Sequence, residues 1–143
     1  MSERPETLLQ RAQALRLQGE RARRSLDAET ALRSYEAAVA IFRELDEPLK
    51  LAHTTRHLGD VHHEIGQPER AEPAYVEALA IYRLHPEAPP LDLANAIRSL
   101  ALLKGEEGKG EEARALWEEA RELYRACDVS AGVSESEARL SLL

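Results

Sequence analysis

Arg16, Arg56 and Arg98 stand 40 and 42 residues apart, and each follows a polar side chain by three residues: Gln13, His53 and Asn95. Four residues after the arginines come Glu20, Asp60 and Leu102. Offsets of three and four place each set on one face of a helix. A guanidinium holds a carboxylate through parallel hydrogen bonds, and Gln, His and Asn side chains bond peptide backbone. The chemistry these residue types offer is recognition of a protein or peptide carrying acidic groups. A plainer reading fits the same residues. Arg16–Glu20 and Arg56–Asp60 are one helical turn apart, and such pairs stabilise their own helix by about 0.2–0.5 kcal/mol. Arg98 has Ala94 and Leu102 at those positions, so it lacks a local acidic partner and is the best single candidate for ligand contact.

Other reactive residues point to less. His53 and His57 have a spacing that can bind one metal ion, but no HExxH sequence and no nearby cysteine accompanies them. His62 falls on the packing stripe of its helix, and His63 on the recognition face. Surface and packing roles are expected for the histidines, with no metal site. Residues 105–110, GEEGKG, lack the form of a phosphate loop, and their glutamates would repel phosphate, so they read as a turn between helices. No Ser/His/Asp or Cys/His set has a supporting context, so no catalytic residue and no cofactor are expected. Cys127 is the single cysteine, which excludes an internal disulfide and fits a reducing compartment.

The elements that must carry these residues are helices. Leu, Ala, Glu and Arg supply 82 of the 143 residues, whereas Val, Ile and Thr supply 13. Strong helix formers with few β-branched residues specify an all-α chain. The net charge of −7 argues against nucleic acid. Arg21, Arg23 and Arg24 form the one basic concentration, and with Glu20 and Asp27 beside them they read as a solvated helix end. The longest apolar run, Ala37 to Phe42, is far too short to span a membrane, and the charged N-terminal segment has no signal-peptide core. A soluble, cytoplasmic protein is expected.

A repeat organises the whole chain. YEAAVAIFR from Tyr35, YVEALAIYR from Tyr75 and WEEARELYR from Trp117 align without gaps at intervals of 40 and 42. Each is one amphipathic helix. A second helix precedes each, with a small residue (Gly19, Gly59, Ala101) on its packing stripe; Gly59 and Ala101 are expected to pack on Ala71 and Ala113. Breakers mark the boundaries: Asp27 as an N-cap, Gly66-Gln67-Pro68, and Gly108-Lys109-Gly110. Helices are expected at about 5–24, 28–46, 49–65, 68–84, 91–107, 110–126 and 130–142. The last is a half repeat suited to closing a stacked array, with Ser134 and Glu137 as a capping box.

Leu58-Gly59, Gly66, Ala71, Tyr75, Ala78 resembles the tetratricopeptide repeat, as does Leu100-Ala101, Gly108, Ala113, Trp117, Ala120. The spacing resembles the longer, kinesin-light-chain-like variant, most closely in residues 66–83. Departures are His62 and Lys104 at a usually aromatic site, and Gln18 for leucine. The resemblance implies a right-handed superhelix of three helix-turn-helix repeats, about 10–46, 49–84 and 91–126, plus a closing helix 130–142, in one domain over 1–143. It implies a concave groove, lined by the first helices, that binds a peptide or partner helix without catalysis. The family's clamp for a terminal carboxylate is not reproduced, since the positions concerned hold Arg16, Glu20, His57, Asn95 and Ser99. The alternative function is self-assembly through the groove or the C-terminal helix, giving a homodimer. Tyr35, Tyr75 and Trp117 are expected to be buried between repeats. Val133, Leu140 and one or both of Leu142 and Leu143 are expected to pack on the helix at 110–126.

Overall fold

The computed structural model describes residues 4–143; the first three residues of the expected 1–143 domain lie outside the described residues. Seven helices and no strand are found among them: α1 (Pro5–Arg24), α2 (Ala28–Glu44), α3 (Pro48–Glu64), α4 (Pro68–Leu84), α5 (Pro90–Glu106), α6 (Gly110–Ala126) and α7 (Ser130–Ser141). None of these helices is long and apolar enough to cross a membrane.

One turn geometry recurs down the chain. Leu26, Asp46, Gly66, Gly108 and Asp128 all have φ between +53° and +79°. The amide after each reaches back to a carbonyl in the last helical turn: Asp27 to Ala22, Glu47 to Phe42, Gln67 to His62, Lys109 to Lys104 and Val129 to Tyr124, at 2.8–3.0 Å. This capping bond satisfies carbonyls that the ending helix would leave open. Starts are also encoded locally. The Asp27 side chain accepts from the Thr30 amide at 3.1 Å. Proline opens α1, α3 and α5 in the first turn, where its missing N–H has no helical partner to lose. The capping box expected at Ser134 and Glu137 does not form, because α7 begins at Ser130 and encloses both residues.

The chain divides into two compact units, up to Ile81 and from Tyr82 onward, with the boundary inside α4. In the first, Ala12, Ala38, Phe42 and Leu51 form one core cluster, and Ala22, Ala31, Tyr35 and Val61 another. Tyr35 is fully buried between α1 and α3. Its ring is why position 19 is glycine: a Cβ there would stand 2.7 Å from the ring. Gly59 repeats the relationship with Tyr75 at 2.8 Å. The small residue of the stripe therefore admits an aromatic ring, where the spacing had suggested Ala71. In the second unit Ile97, Leu100, Leu103, Trp117 and Tyr124 are buried. α7 is held differently from expectation. It buries Gly132 and Ser136, and a Cβ on Gly132 would overlap the Tyr124 ring. Val133 and Leu140 are half-buried, but Leu142 and Leu143 are 79% and 42% exposed. The small residues let the helix approach closely, and its end is tied to α6 by the Leu143 carbonyl, which accepts from Arg114 at 2.9 Å.

Candidate functional site

In the first compact unit the polar residues of α1 and α3 converge on Asp60. The Tyr75 hydroxyl donates to one carboxylate oxygen at 2.7 Å. The other oxygen lies 3.4 Å from Arg56, 3.3 Å from His57 Nδ1 and 3.7 Å from Arg23. Burial opposes the charged form of Asp60, but the His57 hydrogen bond, the Arg56 charge and the Tyr75 hydroxyl outweigh it and hold the carboxyl below its ordinary range. His57 Nε2 faces the Arg56 guanidinium at 3.4 Å. His57 Nδ1 lies 3.3 Å from the Arg23 guanidinium as well as from Asp60, so each ring nitrogen faces one cation and Nδ1 also faces the carboxylate.

His53 meets His57 edge to face with ring centres 4.6 Å apart, and His57 stacks on Tyr35 at 6.1 Å. Burial, then the neighbouring His57, Arg56 and Arg16, lower the His53 pKa to about 4, so the imidazole is neutral. Among the described residues no three His, Cys, Asp or Glu side chains gather as a metal site. Arg16 donates to Glu20 at 2.8 Å, within its own helix. Arg23 reaches across to Glu64 on α3, accepted at 3.1 Å by the second oxygen of that carboxylate. It is thus a bridge between helices and not the solvated helix end expected. Gln13 and His63 are half-buried on the same helices. A cleft of about 510 Å³ opens beside this network, lined by Glu20, Arg23, Arg24, Leu26, Tyr35, His57 and Glu64.

In the second unit Asn95 accepts a hydrogen bond from the Tyr124 hydroxyl at 2.7 Å. Arg98 forms a two-pronged pair with Glu135 of α7, one prong at 2.9 Å. The acidic partner missing from its own helix comes from 37 residues downstream. These residues line a cleft of about 540 Å³ with Leu91, Val129 and Gly132. Leu102 lies elsewhere, in a smaller cleft with Trp117, Leu142 and Leu143.

Residues that the sequence did not place in the binding face carry much of this geometry: His57, Tyr75 and Arg23, read there in other roles, with Glu64, Tyr124 and Glu135. The available signal was opposite charge near the repeat interval, because residues about one repeat apart lie side by side on stacked helices. Arg23–Glu64 and Arg98–Glu135 have it, and so do Arg43–Glu77 and Arg83–Glu119 on the second helices, with bonds of 2.6 and 2.8 Å.

Helix pairs closed by one turn type, with rings seated on small residues, define a helical-repeat protein. A family model described as tetratricopeptide repeat matches residues 5–83, more than half the chain, and the chain belongs to that family. Such repeats generally mediate protein–protein interaction or scaffolding, and the family is generally non-catalytic. The crystal structure of BtubC (BKLC) from P. vanneervenii is similar over 98% of this chain, with 19% identity and a TM-score of 0.78, which shows the fold. The chain spans 60% of the length of that structure. No curated protein matches the sequence at a significant level.

Proposed function

We propose that this chain is a single tetratricopeptide-repeat domain acting as a non-catalytic, cytoplasmic interaction module, which takes a peptide or partner helix in the concave groove of its first helices. What supports the reading is the Asp60 network, where Arg56, His57 and Tyr75 are already held in place by one carboxylate. A pre-organised polar face loses little entropy when a partner docks. Gln13, Arg16, Glu20, His53, Arg56, Asp60 and His63 form the contact set in the first unit, with Asn95, Arg98 and Leu102 in the second. The partner carries acidic groups, and its binding weakens with salt. The test is capture from native cytosol, followed by calorimetry on the recovered partner with Arg56→Ala and Arg98→Ala. Affinity unchanged in both variants moves the site elsewhere.

A second reading is self-assembly through the C-terminal helix. It is favoured by the exposure of Leu142 and Leu143 beside the cleft that holds Trp117. Light scattering distinguishes it, since it requires a dimer whose formation Leu142→Ser with Leu143→Ser abolishes.

A further inference from the structure

The first two repeats carry the same hydrogen-bonding pair at the same positions, and only one of the pairs is made. In the second repeat, Tyr75 donates to Asp60 at 2.7 Å. The residues 40 earlier are Tyr35 and Glu20. Glu20 is one methylene longer than Asp and turns away, accepting from Arg16 at 2.8 Å and facing Arg24 at 4.0 Å. Among the described residues the Tyr35 hydroxyl has no hydrogen-bond partner, on a residue of 0% exposure. Buried donors are nearly always satisfied, so one that is not calls for a physical account.

The surroundings of the hydroxyl point to a ligand. Tyr35 forms part of the wall of the 510 Å³ cleft. On the rim, Leu26 is 91% exposed and left-handed, with φ +62°. The other repeats have Gly66 and Gly108 at that turn position, where glycine carries no strain. A leucine there costs backbone energy and exposes apolar surface, and local strain of this kind gathers at functional sites. Arg24 contributes a cation whose side chain is 76% exposed and which stands 4.0 Å from Glu20. Glu20 and Glu64 are already neutralised by Arg16 and Arg23, so they do not repel an incoming anion.

We propose that this cleft is a subsite for one acidic side chain of a peptide, whose carboxylate accepts from the Tyr35 hydroxyl and pairs with Arg24 while a neighbouring aliphatic side chain lies on Leu26. The inference rests on the peptide-binding reading above. A neutral carbonyl would satisfy the hydroxyl but add no charge opposite Arg24, and a carboxylate serves both. Glu20, Arg23 and Arg24, which share the wall with Tyr35, are long and flexible, so a small shift of their ends admits the ligand.

The test uses the full chain with ring-labelled tyrosine, titrated with acetyl-Leu-Glu-Leu-amide and with its Gln counterpart, and read by NMR. The expected result is a saturable shift at Tyr35, with the Glu peptide bound about tenfold more tightly, the worth of a hydrogen bond to a charged group. Tyr35→Phe should weaken binding by about the same factor without lowering the melting temperature, since it removes an unsatisfied donor. Leu26→Gly should raise the melting temperature and weaken binding. No saturable shift at Tyr35, or equal binding by Tyr35→Phe, overturns the subsite. Captured partners that still depend on Arg56 would then leave the broader reading standing, whereas loss of that dependence would sink the broader reading itself.

Discussion

Arg98 on α5 and Glu135 on α7 form a two-pronged ion pair, with Arg98 Nη2 2.9 Å from the carboxylate. Glu135 stands 40 residues after Asn95, so α7 offers an acid at the position where earlier first helices hold Gln13, His53 and Asn95. The pair holds α7 against the arginine singled out for ligand contact. A partner that uses Arg98 must therefore compete with Glu135.

Glu135→Gln should loosen α7 more than it lowers overall stability. Both side chains are partly exposed, so the change is expected to cost no more than about 1 kcal/mol, while amide exchange in α7 quickens. The hydrogen bond from Arg98, opposed by burial, holds the Glu135 pKa below the ordinary carboxylate range. This stabilisation is present above the unfolded pKa, near ~4.3, and is lost as pH falls through the lower folded value. The natural chain should lose more stability than Glu135→Gln on acidification below about pH 4.5, followed by urea unfolding. Parallel curves would show that the pair contributes nothing.

Glycine-to-alanine changes separate the close approaches from the open positions. Gly132→Ala drives a Cβ into the Tyr124 ring, which its bond to Asn95 keeps from moving away. Gly59→Ala does the same to Tyr75, anchored on Asp60. Each should destabilise by about 1–3 kcal/mol, the usual cost of overpacking. Gly105 lies within α5 with nothing inside 4 Å of a Cβ, so Gly105→Ala should be neutral or stabilise by up to about 1 kcal/mol. Thermal melts of the three variants check the order. Equal melting temperatures would refute the close packing.

The helices were legible in the sequence because their signals are local. Asp27 as a cap, Gly66 and Gly108 at left-handed turns, and Tyr35, Tyr75 and Trp117 in the core follow from spacing and residue type. Turns at Leu26, Asp46 and Asp128 were less visible, because no glycine marks their left-handed residue. The site was legible only within single helices. Arg16–Glu20 and Arg56–Asp60 are pairs one turn apart, and periodicity finds them. Arg23–Glu64 and Tyr75–Asp60 join different helices, and reading them requires knowing which faces stack. The closest contact of α7 was hidden for a related reason. Hydrophobic counting favoured its leucines, while its approach is set by the missing side chain of Gly132.

The second helices carry an ion pair whose worth can be measured cleanly. Arg83 donates to both oxygens of Glu119 at 2.8 Å, with both side chains partly exposed. Arg83→Glu alone places like charges together, and adding Glu119→Arg restores attraction with the partners exchanged. A double-mutant cycle should give a coupling of about 0.5–1 kcal/mol, shrinking in high salt. Zero coupling at low salt would mean that the pair is not held in solution.

His53 should make the protein acid-sensitive at milder pH than its carboxylates do. Its imidazole is held at a pKa of about 4 by burial, and then by the charges of His57, Arg56 and Arg16. In the unfolded chain it titrates near ~6.5. Between these values the unfolded state takes up a proton that the folded state refuses, so acidification draws the equilibrium toward unfolding. For a folded pKa below the unfolded one, a histidine's contribution is intact above about pH 6.5 and is lost progressively down to the folded pKa, where the loss levels off. After allowance for partial exposure, about 2 kcal/mol should disappear over that window. His53→Gln keeps a polar side chain of similar size that does not titrate, so its stability should be flat where the natural chain declines. Asp60, also held below its ordinary range, adds its own loss only at lower pH, which separates the two contributions. Urea unfolding at a series of pH values measures the slope, and NMR titration of the His53 ring measures the cause. A His53 midpoint at the ordinary imidazole value, or identical slopes for the two proteins, would show that the ring is not shielded beside Arg16 and Arg56.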